Sequence, residues 1–300
     1  MQQTHEADDP TSLYRRGAII TGASQGLGRA IAAEFVQAGA DVLLVARDAA
    51  RLIATKREIA ANTVRADQRV EAFSADVSDP ESATEIAASA SKLLPNVTVL
   101  VNNAGIYGPM GAIETVSWEE WVAAIRINLF GTVLMCRSVI PLLRAQGYGK
   151  IINLSGGGAT APLPFISAYA ASKAAVVRLT ETFAEELREA HVDVNAIAPG
   201  ALNTRLLGEV IEAGAEKVGE AFYRKAIAQK DDGGVPMEVG AGLARFLASA
   251  ASDGITGRLL SAVWDDWANL PTYRSELAAS DIFTLRRIVP EDRQKDWSAK

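Results

Sequence analysis

Cysteine and histidine are nearly absent: Cys136, His5 and His191 are all that 300 residues contain. A single thiol excludes a disulfide framework and any multi-cysteine metal cluster. With two imidazoles far apart, a zinc site or a Cys/His or Ser/His/Asp nucleophile system lacks its parts unless carboxylates supply nearly everything. No Lys/Arg-rich block interrupts the acidic balance of 30 Lys+Arg against 36 Asp+Glu, a net charge of −6, so the phosphate-neutralising stripe of a nucleic-acid binder is missing. The start, MQQTHEADDPTSLYRRG, is polar and acidic with no apolar h-region, and no later stretch approaches ~18 uninterrupted apolar residues. These absences predict a cytoplasmic chain with neither nucleic acid nor membrane as partner.

What is present is a large apolar fraction, 49%, arranged in a repeating order. Short runs rich in Val, Ile and Leu at 18–20, 42–45, 70–73, 97–101, 151–154, 192–197 and 259–263 read as strands. Helical patterns fill the intervals at 28–38, 49–66, 80–93, 118–145, 167–190 and 238–250. Parallel strands need crossovers and crossovers are right-handed, so the alternation predicts one open sheet with helices on both faces. No Gly-, Ser- or Pro-rich linker divides the chain. We therefore expect an α/β single domain over 15–266, a polar N-terminal tail over 1–14 and a C-terminal extension over 267–300. The polar, glycine-punctuated stretch 200–235 suits a lid over a substrate.

The first predicted strand runs into Thr21-Gly22-Ala23-Ser24-Gln25-Gly26-Leu27-Gly28, and a helix follows. Glycines there let the backbone turn tightly, approach a pyrophosphate and pack the helix on the strand, while the helix N-terminus offers free N–H groups to an anion. At the first βα junction of a seven-strand pattern, this turn predicts a doubly wound, Rossmann-type dinucleotide site. Where the second strand ends, an acidic residue would accept from both ribose hydroxyls and repel a 2′-phosphate. The chain has Arg47 instead, whose guanidinium can pair with phosphate, which favours NADP(H) over NAD(H). Asp48 either caps the next helix or neutralises Arg47. Asp76 and Val77, closing the third strand, could flank an adenine; as a helix cap, Ser78 or Asp79 fits better than Asp76.

Tyr169 and Lys173 stand four residues apart in a helical pattern, on one face and within reach of each other. A phenol titrates near 10, and lowering it by ~3 units asks for roughly 4 kcal/mol, which a neighbouring ammonium and an oxidised nicotinamide would share. Tyr169 would then exchange a proton with a substrate oxygen.

Together, TGASQGLG (21–28), Asp76-Val77, NNAG (102–105), Asn128, YAASK (169–173) and VNAIAPGALNT (194–204) resemble the short-chain dehydrogenase/reductase family in its single-domain branch, in the family's order over roughly 17–263. The resemblance implies an oxidoreductase interconverting a carbonyl and a secondary alcohol by hydride transfer. Tyr169 would be the general acid/base. Lys173 would hold the nicotinamide ribose and depress the Tyr169 pKa, and Asn128 would support a relay water beside Lys173. Cofactor contacts carried over are Gly22, Ser24, Gln25, Gly26, Leu27, Gly28, Asn103 and Gly105, then Pro199, Gly200, Leu202 and Thr204 near the nicotinamide. The long helix 118–145 is apolar nearly all round and in this family commonly pairs across a two-fold axis, which implies a homodimer or homotetramer.

Two positions depart from the family pattern. Thirteen residues before the tyrosine, where the family's substrate-binding serine usually lies, stands Gly156; the hydroxyl is one earlier, at Ser155. Either Ser155 donates to the substrate oxygen or the site works without that donor, at ~10²–10³ in rate. Ser155 could instead bond to backbone at the strand end. A catalytically weak or silent NADP(H)-binding sensor is thus the alternative to an enzyme. The second departure is the extension, rich enough in apolar side chains to dock. It is expected to cover the substrate mouth, to reach a neighbouring subunit, or to pack on its own domain.

Overall fold

A computed structural model describes residues 9–297, which leaves His5 outside the described residues. The chain order is β1 (Gly17–Thr21), α1 (Gly26–Gln37), β2 (Asp41–Ala46), α2 (Ala49–Ala60), β3 (Val70–Ser74), α3 (Pro80–Leu93), β4 (Val97–Asn102), α4 (Trp118–Ile125), α5 (Gly131–Gln146), β5 (Gly149–Leu154), α6 (Ser167–Glu186) and β6 (Val192–Ala198). There follow α7 (Arg205–Ala213), α8 (Ala215–Val218), α9 (Glu220–Asp231), α10 (Met237–Ala248), β7 (Leu259–Ser261) and α11 (Arg274–Ala278).

The strands form one parallel sheet in the order β3-β2-β1-β4-β5-β6-β7. Strand residues alternate between two cores. Ile20, Leu44, Val101 and Ile152 pack with α1 and α10 on one face. Ile19, Leu43, Leu100 and Ile151 pack on the other with apolar residues of α3 and α5. Strands covered on both faces read as continuous apolar runs, which is why each was legible. The chain builds outward from β1 to β3 and then returns to β4 on the opposite side of β1. This reversal leaves a crevice beyond the carboxyl ends of β1 and β4.

Several boundaries differ from the expectations for physical reasons. The helix expected over 49–66 stops at Ala60, because Arg65 and Gln68 turn back to Asp41, Gly39 O, Val36 O and Ala40 O. The long helix is continuous over 118–146 but carries a π-helical segment, Arg126–Phe130, containing Asn128. Its length and composition would suit a membrane span, yet Met135, Cys136, Val139 and Leu143 are fully buried in the core. Trp118 and Phe130, on the same helix, are exposed. The last strand ends at Ser261, whose N–H donates to Asp265 Oδ2 and turns the chain.

Residues 9–14, read as part of a polar tail, are fastened to the domain. Leu13 is wholly buried, and Arg245 binds Thr11 O and Asp9. The C-terminal extension likewise packs on its own domain. The Arg258 guanidinium donates to Leu277 O, Ser280 O and Ile282 O, and Leu259 N–H donates to Phe283 O at 2.8 Å. The extension thereby takes a backbone donor of the edge strand β7 that would otherwise invite another strand.

Candidate active site

The turn after β1 is shaped by glycine. Gly22 has φ +65° and Gly26 φ +55°, conformations L side chains rarely adopt. A Cβ on Gly28 would collide with Asn103 Nδ2 and Gly22 O, so Gly28 serves the close packing of helix on turn. Asn103 Nδ2 donates to Thr21 O (3.0 Å) and Gly22 O (3.2 Å), while Thr21 Oγ1 accepts from Asn103 N and Ala104 N. The Asn103 side chain therefore builds the cradle and is already engaged by it. Helix α1 begins with no side-chain cap and no acidic residue in its first turn. Its first N–H groups are the unsatisfied donors that an anion would complete.

A cavity of about 830 Å³ opens at this turn. Every cofactor residue inferred from the sequence except Gly28, and every catalytic candidate except Asn128, lines it. At one end, Arg47 follows β2 with Nη1 3.7 Å from Asp76 Oδ2. Asp48 accepts from Arg51 N at 3.0 Å and so caps α2; its charged neighbour is Arg51, 3.6 Å away. Asp79 caps α3, leaving Asp76 to accept from Ser78 and face the cavity with Val77. Sequence reading missed Arg51, which also lines this end and donates to Gln25 Oε1. The signal was available: with Asp48 as cap, Arg51 lies in the first turn of α2, beside the glycine turn. The cavity thus offers an uncapped helix N-terminus, which fits the pyrophosphate of a dinucleotide, and two guanidinium groups at one end.

At the other end, α6 presents Tyr169 and Lys173 from one face, both buried. Lys173 Nζ donates to Leu154 O at 2.7 Å and lies 5.5 Å from the Tyr169 ring centroid. Burial lowers the Lys173 ammonium to about 8. Burial, with the Tyr107 phenol as a smaller contributor, pushes Tyr169 above its ordinary value. Within the protein's own groups the desolvation of both side chains prevails, so the lowering of the phenol expected from Lys173 and an oxidised nicotinamide together is a property of the cofactor-bound site. Tyr107, absent from the sequence reading, meets Tyr169 edge-on with centroids 4.6 Å apart and planes at 73°.

Gly156 lies against the Tyr169 hydroxyl. A Cβ at position 156 would fall within 3 Å of Tyr169 Oη and 3.3 Å of Cζ, so the phenol stands where a side chain would be. Ser155 lines the cavity, and its Oγ is buried without a hydrogen-bond partner; the backbone bond considered for it is not formed. Asn128 sits one layer back. Its Oδ1 accepts from Ile106 N (2.8 Å), and its Nδ2 donates to Ile106 O (2.8 Å) and Ser172 Oγ (3.0 Å). Both amide protons are thus engaged, so the side chain fastens the loop after β4 to α6. A Cβ on Gly105 would lie 3.2 Å from Asn128 Oδ1 and 3.7 Å from Lys173 Nζ, which keeps that backbone close to both.

Pro199, Gly200, Leu202 and Thr204 form the wall beyond β6; Gly200 has φ +92°. The segment expected to be a lid folds as α7 to α9 and contributes Leu207, Val210, Phe222 and Ala226 to the cavity. Among the described residues, none after Gln229 lines it, so the extension does not cover the substrate mouth.

Comparison with known proteins bears on this geometry. A family model described as short chain dehydrogenase matches residues 16–214. A short chain dehydrogenase from Monascus purpureus is 30% identical over 297 residues, covering 96% of each chain. An NAD-dependent glycerol dehydrogenase from Listeria innocua is 33% identical over 258 residues, 84% of this chain and 94% of that one. The structure of a gluconate 5-dehydrogenase from Burkholderia cenocepacia in complex with NADP and tartrate superposes with a TM-score of 0.74 at 27% identity, covering 84% of this chain and 95% of the other.

Proposed function

Because the chain belongs to the short-chain dehydrogenase family, a family of oxidoreductases acting on CH–OH groups, we propose that it interconverts a carbonyl compound and a secondary alcohol with NADP(H). The observation that carries this is the sharing of one cavity by the uncapped N-terminus of α1 and the buried Tyr169 and Lys173. Gly22, Gly26, Asn103, Gly105, Lys173 and Thr204 would hold the cofactor along that cavity, and its nicotinamide would supply the hydride chemistry. Tyr169 supplies the proton: its phenol is held protonated by burial, which is the state required to donate to the oxygen of a carbonyl as hydride arrives at carbon. In the reverse direction Tyr169 would accept that proton, with burial opposing the phenolate.

Lys173, anchored to Leu154 O and lining the same cavity, would give its remaining N–H groups to a nicotinamide ribose. Ser155 Oγ, unpartnered, is the donor for the substrate oxygen. Asn128 acts by positioning Gly105, Ile106 and α6 around Lys173. Arg47 and Arg51 favour NADP(H), since two guanidinium groups at one end of the cavity suit a 2′-phosphate better than two free hydroxyls. Trp118 and Phe130, exposed on the long helix, support a homodimer or homotetramer formed through that helix.

Oxidation of NADPH followed by absorbance against a panel of ketones tests the reading, with Tyr169→Phe expected to lose at least 10³-fold in kcat while retaining NADPH binding. A second reading, a silent nucleotide sensor, is favoured by the missing side chain at Gly156. Tight NADPH binding without turnover of any carbonyl would select it.

A further inference from the structure

Resting on the oxidoreductase reading, we infer that the substrate is an alicyclic or aromatic ketone, or the matching alcohol, and not a polyhydroxylated one. Beyond Tyr169 the cavity wall is built from Tyr107, Leu163, Leu207, Val210, Phe222 and Ala226. These come from the loop after β4, the loop after β5 and the helices of the 200–235 segment. They gather with Tyr169 itself into an apolar cluster separate from the two cores on the sheet. The proton donor is therefore embedded in a largely apolar wall with the Tyr107 ring edge-on beside it.

Next to Tyr169 the polar side-chain groups are the Tyr107 hydroxyl and Ser155 Oγ, and of the others several are committed to one another. Gln229 Nε2 donates to Asn203 Oδ1 at 3.3 Å, and Arg205 pairs with Glu209. Lys225 lines the cavity from an exposed position. The carboxylates that line the cavity, Asp48 and Asp76, both lie at the opposite end, where Arg47 and Arg51 are. A substrate bearing several hydroxyls needs acceptors along its length, and carboxylates are the acceptors best suited to them; buried without partners, its hydroxyls would be desolvated at a loss. An apolar ring gains on the same surface, and Tyr107 and Phe222 offer it edges and faces to pack against.

The test measures kcat/KM with saturating NADPH for two sets of ketones. One contains cyclohexanone, 2-decalone and acetophenone; the other contains dihydroxyacetone, fructose and 5-ketogluconate. The expected result is at least a 100-fold preference for the apolar set, increasing about fourfold for each added methylene that is buried. Phe222→Ser should erase at least tenfold of that preference, mainly through KM. Equal or better turnover of the polyhydroxylated set overturns the substrate class while leaving the oxidoreductase reading standing. NADPH binding without turnover of either set overturns both.

Discussion

A serine introduced at position 156 restores the residue that the family most often has there, and on sequence grounds alone Gly156→Ser should improve the enzyme. The structure predicts the opposite. The new Cβ would fall within 3 Å of Tyr169 Oη and 3.3 Å of Cζ, where an ordinary carbon–oxygen contact needs 3.4 Å or more. Relief requires the hydroxyl to retreat by about 1 Å, a misplacement that costs ~10²-fold in rate when proton and hydride must arrive together. Retreat is also resisted, because the Tyr107 ring stands edge-on to Tyr169 at 4.6 Å and both belong to one apolar cluster. We therefore expect kcat/KM for ketone reduction to fall about 100-fold in Gly156→Ser, with overpacking lowering stability by about 1–3 kcal/mol. Gly156→Ala separates the causes: it carries the same Cβ without the hydroxyl, and should fall by a similar factor. Steady-state NADPH oxidation, alongside direct titration of NADPH binding, measures both variants. A Gly156→Ser enzyme as fast as the wild type or faster would refute the reasoning, since the phenol could not then be held against position 156.

The remaining predictions concern the two ends of the same cavity. Arg51→Ala and Arg47→Ala should each raise the Kd for NADPH about tenfold, ~1.4 kcal/mol, and change that for NADH by less than threefold; equal losses for both cofactors would show that neither side chain reads the additional phosphate. Lys173→Met should abolish turnover yet stabilise the protein at pH 7. The ammonium is lowered from 10.5 to about 8 by burial, so below pH 8 the folded state carries a charge that costs about 3 kcal/mol relative to the unfolded chain. Losing the hydrogen bond to Leu154 O returns about 1 kcal/mol of that. The net gain of about 2 kcal/mol corresponds to roughly 4 °C in Tm. Between pH 8 and 10.5 the unfolded wild-type chain binds the proton that the folded one has released, so wild-type stability rises with pH and the variant's advantage fades. Thermal melts at pH 7 and pH 10.5 check this, and a constant difference across that range would contradict the assignment.

Much of the fold was legible because the sheet is covered on both faces. A strand such as β2 is a short apolar run of Val and Leu along nearly its whole length, marked by its length and composition and by the loops that bound it. The ends of elements were less legible because tertiary contacts set them. Nothing local in residues 61–66 forbids helix; the chain leaves it because Arg65 and Gln68 find acceptors on β2 and its approach. Nor does composition show that one leucine among polar neighbours, Leu13, secures the N-terminal segment.

The site divides along the same line. Most motif residues line one cavity, since glycine turns and i,i+4 pairs are local devices, while Gly28 and Asn128 lie behind it. What escaped were partners brought in by folding: Tyr107 from the loop after β4, and the apolar side chains of the 200–235 segment. The sequence assigns the acidity of Tyr169 to the Lys173 ammonium and an oxidised nicotinamide together; with the protein's own groups alone, burial of both side chains makes each charged form costly. The protein therefore holds a protonated acid ready for carbonyl reduction, and alcohol oxidation depends on charge arriving with the cofactor. If that is correct, the pH dependence of the two directions should differ: ketone reduction stays flat through neutrality, whereas alcohol oxidation rises with pH. Coincident profiles would place the titration of Tyr169 under the control of Lys173 alone.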